Sequence, residues 1–175
     1  AGVQGVGRSL CARPMAFTAM TMSLEYIFVT PDHTHLLETE FIDKDQVGFA
    51  DEPIETIVEC QKYQSSVPRA AFKNGELVAF WVHEEISESP CTYLIWDFVV
   101  HRAFQGQGIG KKILKDEISY LHKTYKAVLI VVSVIPSNTI ATSLYLNLGF
   151  VDTGKINNDG EKVLHLDLSC PKPNA

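Results

Sequence analysis

Long apolar runs, an excess of positive charge and paired cysteines are all missing from this chain of 175 residues. No stretch approaches the roughly 20 apolar residues that a membrane-spanning helix needs, so we expect no membrane insertion. The formal net charge is −6, which argues against nucleic acid as a partner and suits a cationic substrate.

The four cysteines are widely scattered and form no C-x-x-C pair; they are Cys11, Cys60, Cys91 and Cys170. This spacing predicts neither a zinc site nor a disulfide framework, and the six histidines show no metal-ligand spacing. We therefore expect a protein without bound metal in a reducing compartment, the cytoplasm.

Size and composition allow one domain with a complete core, since 46% of the residues are hydrophobic. Residues 1–22 differ from the rest, because they contain Arg8 and Arg13 but no acid, and the first acid is Glu25. We expect residues 1–22 to be a disordered or appended extension, residues 23–170 to form the domain, and residues 171–175 to be a tail.

The hydrophobic pattern predicts a mixed α/β fold in the order β-α-α-β-β-β-α-β-α-β-β. The expected strands are 24–29, 70–72, 77–82, 91–100, 128–135, 150–153 and 162–168. The expected helices are 30–42, one that starts at 51–53, 108–122, and one that starts near residue 138. Asn74-Gly75 lies between two β-rich runs and predicts a hairpin, whereas 84–90 has the composition of a polar loop.

At residues 99–111 an apolar strand runs into a glycine-rich turn that opens a helix. Such a turn presents backbone N–H groups and the positive end of a helix dipole to an anion, and a pyrophosphate is the expected one. The spacing excludes a dinucleotide fingerprint, which would need glycine in place of Lys111, and a Walker A loop, which would need a hydroxyl residue in place of Lys112. The candidate phosphate-binding residues are Gln105, Gly106, Gly108, Gly110 and Lys111; plain solvent exposure is the alternative for Lys111.

Two segments together resemble the GNAT superfamily of acetyl-CoA-dependent N-acetyltransferases. Gln105-x-x-Gly108-x-Gly110 is similar to the family signature Q/R-x-x-G-x-G/A, and residues 138–150 are similar to its segment N-x-x-A-x-x-x-Y-x-x-x-G-F. The resemblance extends over residues 23–168. It implies a mixed sheet with helices on both faces, and acetyl-CoA as the cofactor in a gap between two splayed parallel strands.

The resemblance also implies roles for single residues. The strand before the turn would pair its backbone with the pantetheine arm, and one backbone N–H there would act as an oxyanion donor. Tyr145 would protonate the departing thiolate, with plain core packing as its alternative, and Asn138 would contact the pantetheine arm, cap its helix, or do both. The implied cofactor-binding residues are Phe98, Val99, Val100, Gln105, Gly106, Gln107, Gly108, Ile109, Gly110, Lys111, Asn138 and Tyr145.

An alkyl amine has a pKa of about 10.4 and arrives protonated, so the reaction needs a base. Asp97 is the first candidate because it lies on the strand that would hold the cofactor; the alternative is a structural carboxylate. Further candidates are Glu84, Glu85 and Glu88, which otherwise form a solvated acidic loop, and His83 and His101.

Residues 93–100 and 148–166 resemble bacterial spermine/spermidine acetyltransferases of the same superfamily, which often carry an arginine where Asp97 stands. The implied substrate is a primary amine of a small molecule such as a polyamine, and Trp96 and Trp81 would suit a cation unless they are core residues. The alternatives are a protein or peptide acetyltransferase, which modifies lysine or an N-terminus, and a non-catalytic acyl-CoA sensor. The apolar final strand leaves open a homodimer.

Overall fold

The computed structural model describes residues 23–38, 40–42 and 48–169. The expected extension at 1–22 and the tail at 171–175 lie outside the described residues, as do Cys11 and Cys170.

The order of helices and strands is the expected one, with a 3₁₀ helix in place of the first α-helix. The strands are β1 (Leu24–Phe28), β2 (Ser66–Lys73), β3 (Glu76–Glu88), β4 (Cys91–Val100), β5 (Leu129–Val134), β6 (Val151–Ile156) and β7 (Lys162–Asp167). The α-helices are α1 (Pro53–Cys60), α2 (Ile109–Tyr125) and α3 (Thr139–Asn147), and the 3₁₀ helices are Pro31–Leu36 and Arg102–Phe104.

The strands form one seven-stranded sheet in the order β1-β2-β3-β4-β5-β7-β6. Only β4 and β5 pair in parallel, and α2 is the crossover helix between them. The predicted hairpin is confirmed, since Asn74 and Gly75 join β2 to β3 with φ angles of 53° and 81°. Both angles are positive, as a two-residue hairpin turn matched to the strand twist requires.

The expected α-helix over 30–42 is wrong, because the segment forms only a six-residue 3₁₀ helix that ends at Leu36. Leu37 and Phe41 are nevertheless buried, as their spacing predicted. They reach the core from irregular backbone, which shows that tertiary packing outweighs helical periodicity in so short a segment.

The expected loop at 84–90 is also wrong for most of its length, because β3 continues to Glu88 and pairs with β4 as far as Cys91. Beyond Glu84 the strand has no pairing with β2, so this part of β3 has a neighbour on one side only. Its acidic residues therefore reflect exposure to water and not an absence of strand structure.

The final strand does not offer the free edge that a homodimer through it would need. Strand β7 pairs with β5 on one side and with β6 on the other. The edges of the sheet are β1 and β6.

Two apolar cores lie on opposite faces of the sheet. Successive residues of β3 alternate between them: Ala79 and Trp81 belong to the core under α2, and Phe80 and Val82 to the core with Leu37 and Phe41. Helix α2 packs through the apolar face that its sequence predicts, which includes Ile109, Ile113, Leu114 and Leu121.

A buried ionic cluster fixes α2 to β2 and β3. Glu117 of α2 is 2% exposed, and its Oε1 lies 2.6 Å from Nδ1 of His83, which is 1% exposed. Its Oε2 lies 3.7 Å from the Arg69 guanidinium, which stacks 4.4 Å from the centre of the Phe28 ring and 4.6 Å from that of Tyr120. Because these groups are desolvated, losing one partner costs far more than losing a surface pair.

We predict that Glu117→Ala lowers the free energy of unfolding by about 3–5 kcal/mol, because it leaves the Arg69 charge buried without its carboxylate. Urea unfolding followed by circular dichroism measures this change. The control is Lys115→Ala on the exposed face of the same helix, which should change stability by less than about 0.5 kcal/mol. Equal effects of the two substitutions would contradict a stabilising role for the cluster.

Candidate active site

The site begins where β4 and β5 stop pairing. Thr92–Leu94 of β4 pair with Leu129–Val131 of β5, and no pairing between the two strands continues past Leu94. Strand β5 goes on pairing with β7 up to Val134, while β4 goes on pairing with β3 up to Val100. The two strands therefore separate, which confirms the splay that the resemblance implies, and two cavities lie along the opening.

A β-bulge in β4 sits at this opening. Phe80 pairs with Val99 and Val82 with Trp96, so Trp81 alone faces two residues of β4, Asp97 and Phe98. Asp97 has a φ of 47°, a left-handed conformation that aspartate tolerates better than most residues. Bulges bend a strand and redirect side chains, and this one places Asp97 at the wall of the smaller cavity. Nothing in the local sequence indicated it.

The larger cavity has a volume of about 480 Å³, within the range of small-molecule sites. It brings together nearly all of the predicted cofactor-binding residues: Phe98, Val99, Val100, Gln105, Gly106, Gly108, Ile109, Gly110, Lys111, Asn138 and Tyr145. Gln107 does not line it; the Gln107 side chain donates a hydrogen bond to the carbonyl of Ala103 at 3.0 Å. Ile140, Leu144, Phe104 and Phe49 complete an apolar wall that sequence reasoning missed.

The glycine turn has the geometry that an anion site needs. Gly106 and Gly108 have φ angles of 71° and 75°, which residues with a side chain rarely adopt. The first backbone amides of an α-helix have no intrahelical acceptor, and Gly108, which precedes the first residue of α2, has no side chain that could cap them. Gly110 packs closely, since a Cβ there would lie 3.2 Å from Cγ2 of Val100.

Gln105 joins the turn to the strand. Its side-chain Nε2 donates a hydrogen bond to the carbonyl oxygen of Val100 at 2.8 Å. The glutamine of the signature therefore holds the turn against the end of β4, and the residue lines the larger cavity.

Tyr145 is positioned by α3, whose first turn is capped by Asn138 Oδ1, an acceptor for the Ala141 amide at 3.0 Å. Tyr145 is 6% exposed, and its ring packs at 5.5 Å from that of Phe150. Its hydroxyl makes no hydrogen bond within the described part of the chain, although the residue lines both cavities. Burial, and then the charges of Asp97 and Glu161, raise the pKa of this hydroxyl above its usual value, so it stays protonated at neutral pH.

The smaller cavity has a volume of about 130 Å³ and adjoins the larger one. Its acidic side chains are Asp97 and Glu161, and Ser133 and Trp96 also line it. Six residues border both cavities: Phe49, Ala50, Phe98, Asn138, Ala141 and Tyr145. The two cavities therefore share a wall.

Asp97 is held from α1. The hydroxyl of Thr56, a fully buried residue, donates a hydrogen bond to Asp97 Oδ2 at 2.7 Å. Burial, and to a smaller extent the charges of nearby acids including Glu161, raise the pKa of the Asp97 carboxyl to about 6 against the opposing effect of this hydrogen bond. The carboxyl thus titrates close to neutral pH, as a group that exchanges protons in a reaction should.

Glu161 is an acidic residue of the site that sequence reasoning also missed. It lies one residue before β7, and its Oε2 accepts hydrogen bonds from Ser133 Oγ at 2.6 Å and from Asn157 Nδ2 at 3.0 Å. The only sequence signal was an acid after the Asn-Asn-Asp-Gly turn, which is more often solvated.

The other candidate bases lie outside both cavities. Glu84 accepts hydrogen bonds from Ser65 and Ser66, and His83 is paired with Glu117 in the middle of α2. His101 accepts the Ala103 amide at 3.2 Å, which caps a 3₁₀ helix. Of the two tryptophans, Trp81 is a core residue and Trp96 lines the smaller cavity. The residues of this set that line neither cavity are Trp81, His83, Glu84, Glu85, Glu88 and His101.

Within the described ranges, no three His, Cys, Asp or Glu side chains lie together in a way that could hold a metal ion. Among the same residues, no helix combines the length and apolarity that crossing a bilayer requires.

Comparison with known proteins assigns the fold and the motifs to one family. The model of the acetyltransferase (GNAT) family matches residues 30–150, more than half of the chain. The chain is 29% identical over 155 residues to a spermine/spermidine N(1)-acetyltransferase of Bacillus subtilis (strain 168), an alignment that covers 84% of this chain and 100% of that protein.

Solved structures share the fold. An aminoglycoside acetyltransferase in complex with coenzyme A has a TM-score of 0.68 at 20% identity, covering 83% of this chain and 95% of that one. A GNAT family acetyltransferase from Elizabethkingia anophelis with acetyl-CoA bound has a TM-score of 0.60 at 23% identity, covering 83% and 98%. The chain therefore belongs to the GNAT family of acetyltransferases, whose acetyl donor is acetyl-CoA.

Proposed function

We propose that the chain transfers the acetyl group of acetyl-CoA to a primary amine of a small molecule, a polyamine in particular, in the cytoplasm. The observation that carries this proposal is the smaller cavity, which is acidic and meets the larger cavity at Tyr145. A cationic acceptor and an acyl donor placed in these two cavities would meet at their shared wall.

The larger cavity fits acetyl-CoA, which supplies an activated thioester. The first amides of α2 and the turn Gly106–Gly108 face the cavity end where a pyrophosphate would bind, and the exposed Lys111 adds positive charge there. The apolar wall of Phe104, Ile140 and Leu144 suits an extended arm. Backbone groups of Phe98, Val99 and Val100 lie along the unpaired side of β4, where the arm would complete the sheet, and Asn138 lies beside them.

Asp97 is the proposed base. An alkylammonium must lose a proton before its nitrogen can attack, and Asp97 is a carboxylate at neutral pH whose pKa of about 6 lies near the working pH. The Thr56 hydroxyl holds one oxygen of Asp97 and fixes the orientation of the other.

Tyr145 is the proposed acid. Its hydroxyl lies at the wall common to both cavities and is protonated at neutral pH, because burial and nearby carboxylates disfavour the phenolate. A proton from this hydroxyl would neutralise the departing thiolate. The hydroxyl makes no hydrogen bond within the described residues. The orientation of the Tyr145 ring is therefore set by its packing against Phe150.

A polyamine is favoured over a protein substrate by the charge of the smaller cavity and by similarity to a named relative. The volume of about 130 Å³ admits the end of a linear amine. The Bacillus subtilis relative, whose whole length aligns with this chain, is named a spermine/spermidine acetyltransferase. Two carboxylates without a basic residue in the cavity wall suit a substrate with several positive charges.

We expect the purified chain to release free thiol from acetyl-CoA with spermine or spermidine, and more slowly with amino acids, aminoglycosides and lysine peptides. A thiol-reactive dye measures the rates over this panel. Turnover with lysine peptides alone would favour a protein acetyltransferase. Acetyl-CoA binding without turnover on any amine would favour a sensor.

Tyr145→Phe should lower kcat by roughly a hundredfold or more, the usual contribution of a general acid. The dissociation constant for acetyl-CoA and the melting temperature should stay unchanged, since the hydroxyl has no hydrogen-bond partner in the described structure to lose. Stopped assays at saturating amine, with calorimetric acetyl-CoA titrations, measure both quantities. Full activity of this variant would exclude Tyr145 as the acid.

For Asp97 we predict that kcat/KM for the amine falls as the pH drops through about 6, where the carboxylate becomes protonated. Asp97→Asn should remove this limb of the pH profile and lower the rate at pH 7 by roughly a hundredfold. Asparagine also tolerates the positive φ and accepts the Thr56 hydrogen bond.

The stability of this variant separates a lost base from a damaged fold. The folded-state pKa of Asp97 is raised, so its contribution to stability is present below a pH of about 3.8 and is lost as the pH rises through about 6. Removing the charge should therefore leave the melting temperature at pH 7 no lower than that of the wild type. A pH profile that keeps its acidic limb in Asp97→Asn would assign the limb to another group.

A further inference from the structure

Within the described structure, the side-chain hydrogen bonds of Glu161 use only one of its two carboxylate oxygens. Both of its side-chain hydrogen bonds, from Ser133 and Asn157, go to Oε2, and no hydrogen bond within the described residues reaches Oε1. The residue lines the smaller cavity although it comes from the turn between β6 and β7, far along the chain from Asp97. A carboxylate fixed by one oxygen leaves its other oxygen available to a ligand.

The surroundings of Glu161 select for positive charge. Asp97 and Glu161 both line the cavity, and no lysine, arginine or histidine lines it among the described residues. The Tyr145 side chain, 6% exposed and without a hydrogen-bond partner in the described structure, borders the same space. Two partly buried carboxylates that face one cavity repel each other, and a cation bound between them relieves that repulsion.

The size of the space limits that cation. The volume of this space, about 130 Å³, is about a quarter of the 480 Å³ of the larger cavity. The space is sufficient for an ammonium group with a short alkyl stem. The Trp96 ring at the cavity wall provides an apolar surface for the stem.

We propose that Glu161 is an acceptor-binding residue: together with Asp97 it binds the protonated aminoalkyl end of the substrate and selects linear cationic amines. This inference rests on the proposed function and adds to it the residue that recognises the acceptor. Glu161 binds the ammonium by charge and hydrogen bonding, while Asp97 receives the proton. The two carboxylates thus have separate roles.

The test compares Glu161→Gln with Asp159→Asn. Glutamine keeps a carbonyl oxygen that accepts from Ser133 and Asn157, so the turn is preserved while the charge is lost. Asp159→Asn removes one negative charge from the same turn at a residue that lines neither cavity. We expect KM for spermidine to rise roughly tenfold or more in Glu161→Gln, as for a lost charged hydrogen bond. The control Asp159→Asn should match the wild type. In Glu161→Gln, kcat and the KM for acetyl-CoA should change by less than about twofold, because the substitution affects binding of the amine.

A second variant and a binding measurement guard against a misfolded turn. Glu161→Asp keeps the charge and should recover most of the affinity, whereas a KM as high as that of Glu161→Gln would overturn the role of the charge. Calorimetric titration of spermidine into the complex with coenzyme A should show the same ranking of affinities without any turnover.

The outcomes also separate this inference from the proposed function. Equal KM values for Glu161→Gln and Asp159→Asn, with an active wild type, would overturn the role of Glu161 and leave the proposed function intact. A wild type that binds acetyl-CoA but neither binds nor acetylates any amine would overturn both.

Discussion

Everything at the site depends on one parallel pairing that ends early. Strands β4 and β5 share only the register Thr92–Leu94 with Leu129–Val131 before each continues with a different neighbour. The unpaired backbone of β4 then faces a cavity instead of a strand, and the crossover helix α2 begins at the same end of the sheet. Had the ladder continued, neither of the two cavities would exist, since a closed sheet has no space between adjacent strands.

Backbone strain and the desolvation of a carboxylate are concentrated at this opening, and contacts elsewhere in the fold offset their unfavourable free energy. Asp97 combines a left-handed backbone with a desolvated carboxylate, and Gly106 and Gly108 adopt conformations closed to most residues. The compensating stability lies in the two cores and in the buried contacts of Glu117, which fix the middle of α2. Because α2 is held there, its first turn keeps one orientation toward the cavity, and ligand binding does not have to order it.

The fold could be predicted from the sequence where periodicity and turn chemistry are strong. The alternation in the central strands, the Asn74-Gly75 hairpin and the apolar face of α2 all reflect local rules. The extension of β3 to Glu88 could not, because its polarity comes from a missing neighbour strand. The glycine turn and Tyr145 were marked by motifs with fixed spacing. Glu161 belongs to no such motif, and the bulge at Asp97 arises from the pairing of β3 with β4. The place of Glu161 at the site and the bulge therefore both depend on tertiary structure.

The wall common to the two cavities has a thermodynamic consequence. Phe98, Asn138 and Tyr145 each border both spaces, so a molecule in one cavity becomes part of the surroundings of the other. The affinities of the two cavities for their ligands are then linked, and linkage at equilibrium is reciprocal: the factor by which a ligand in the first cavity alters the affinity of the second equals the factor by which a ligand in the second alters the affinity of the first. A preferred binding order in this enzyme would reflect that shared surface, with no conformational change required.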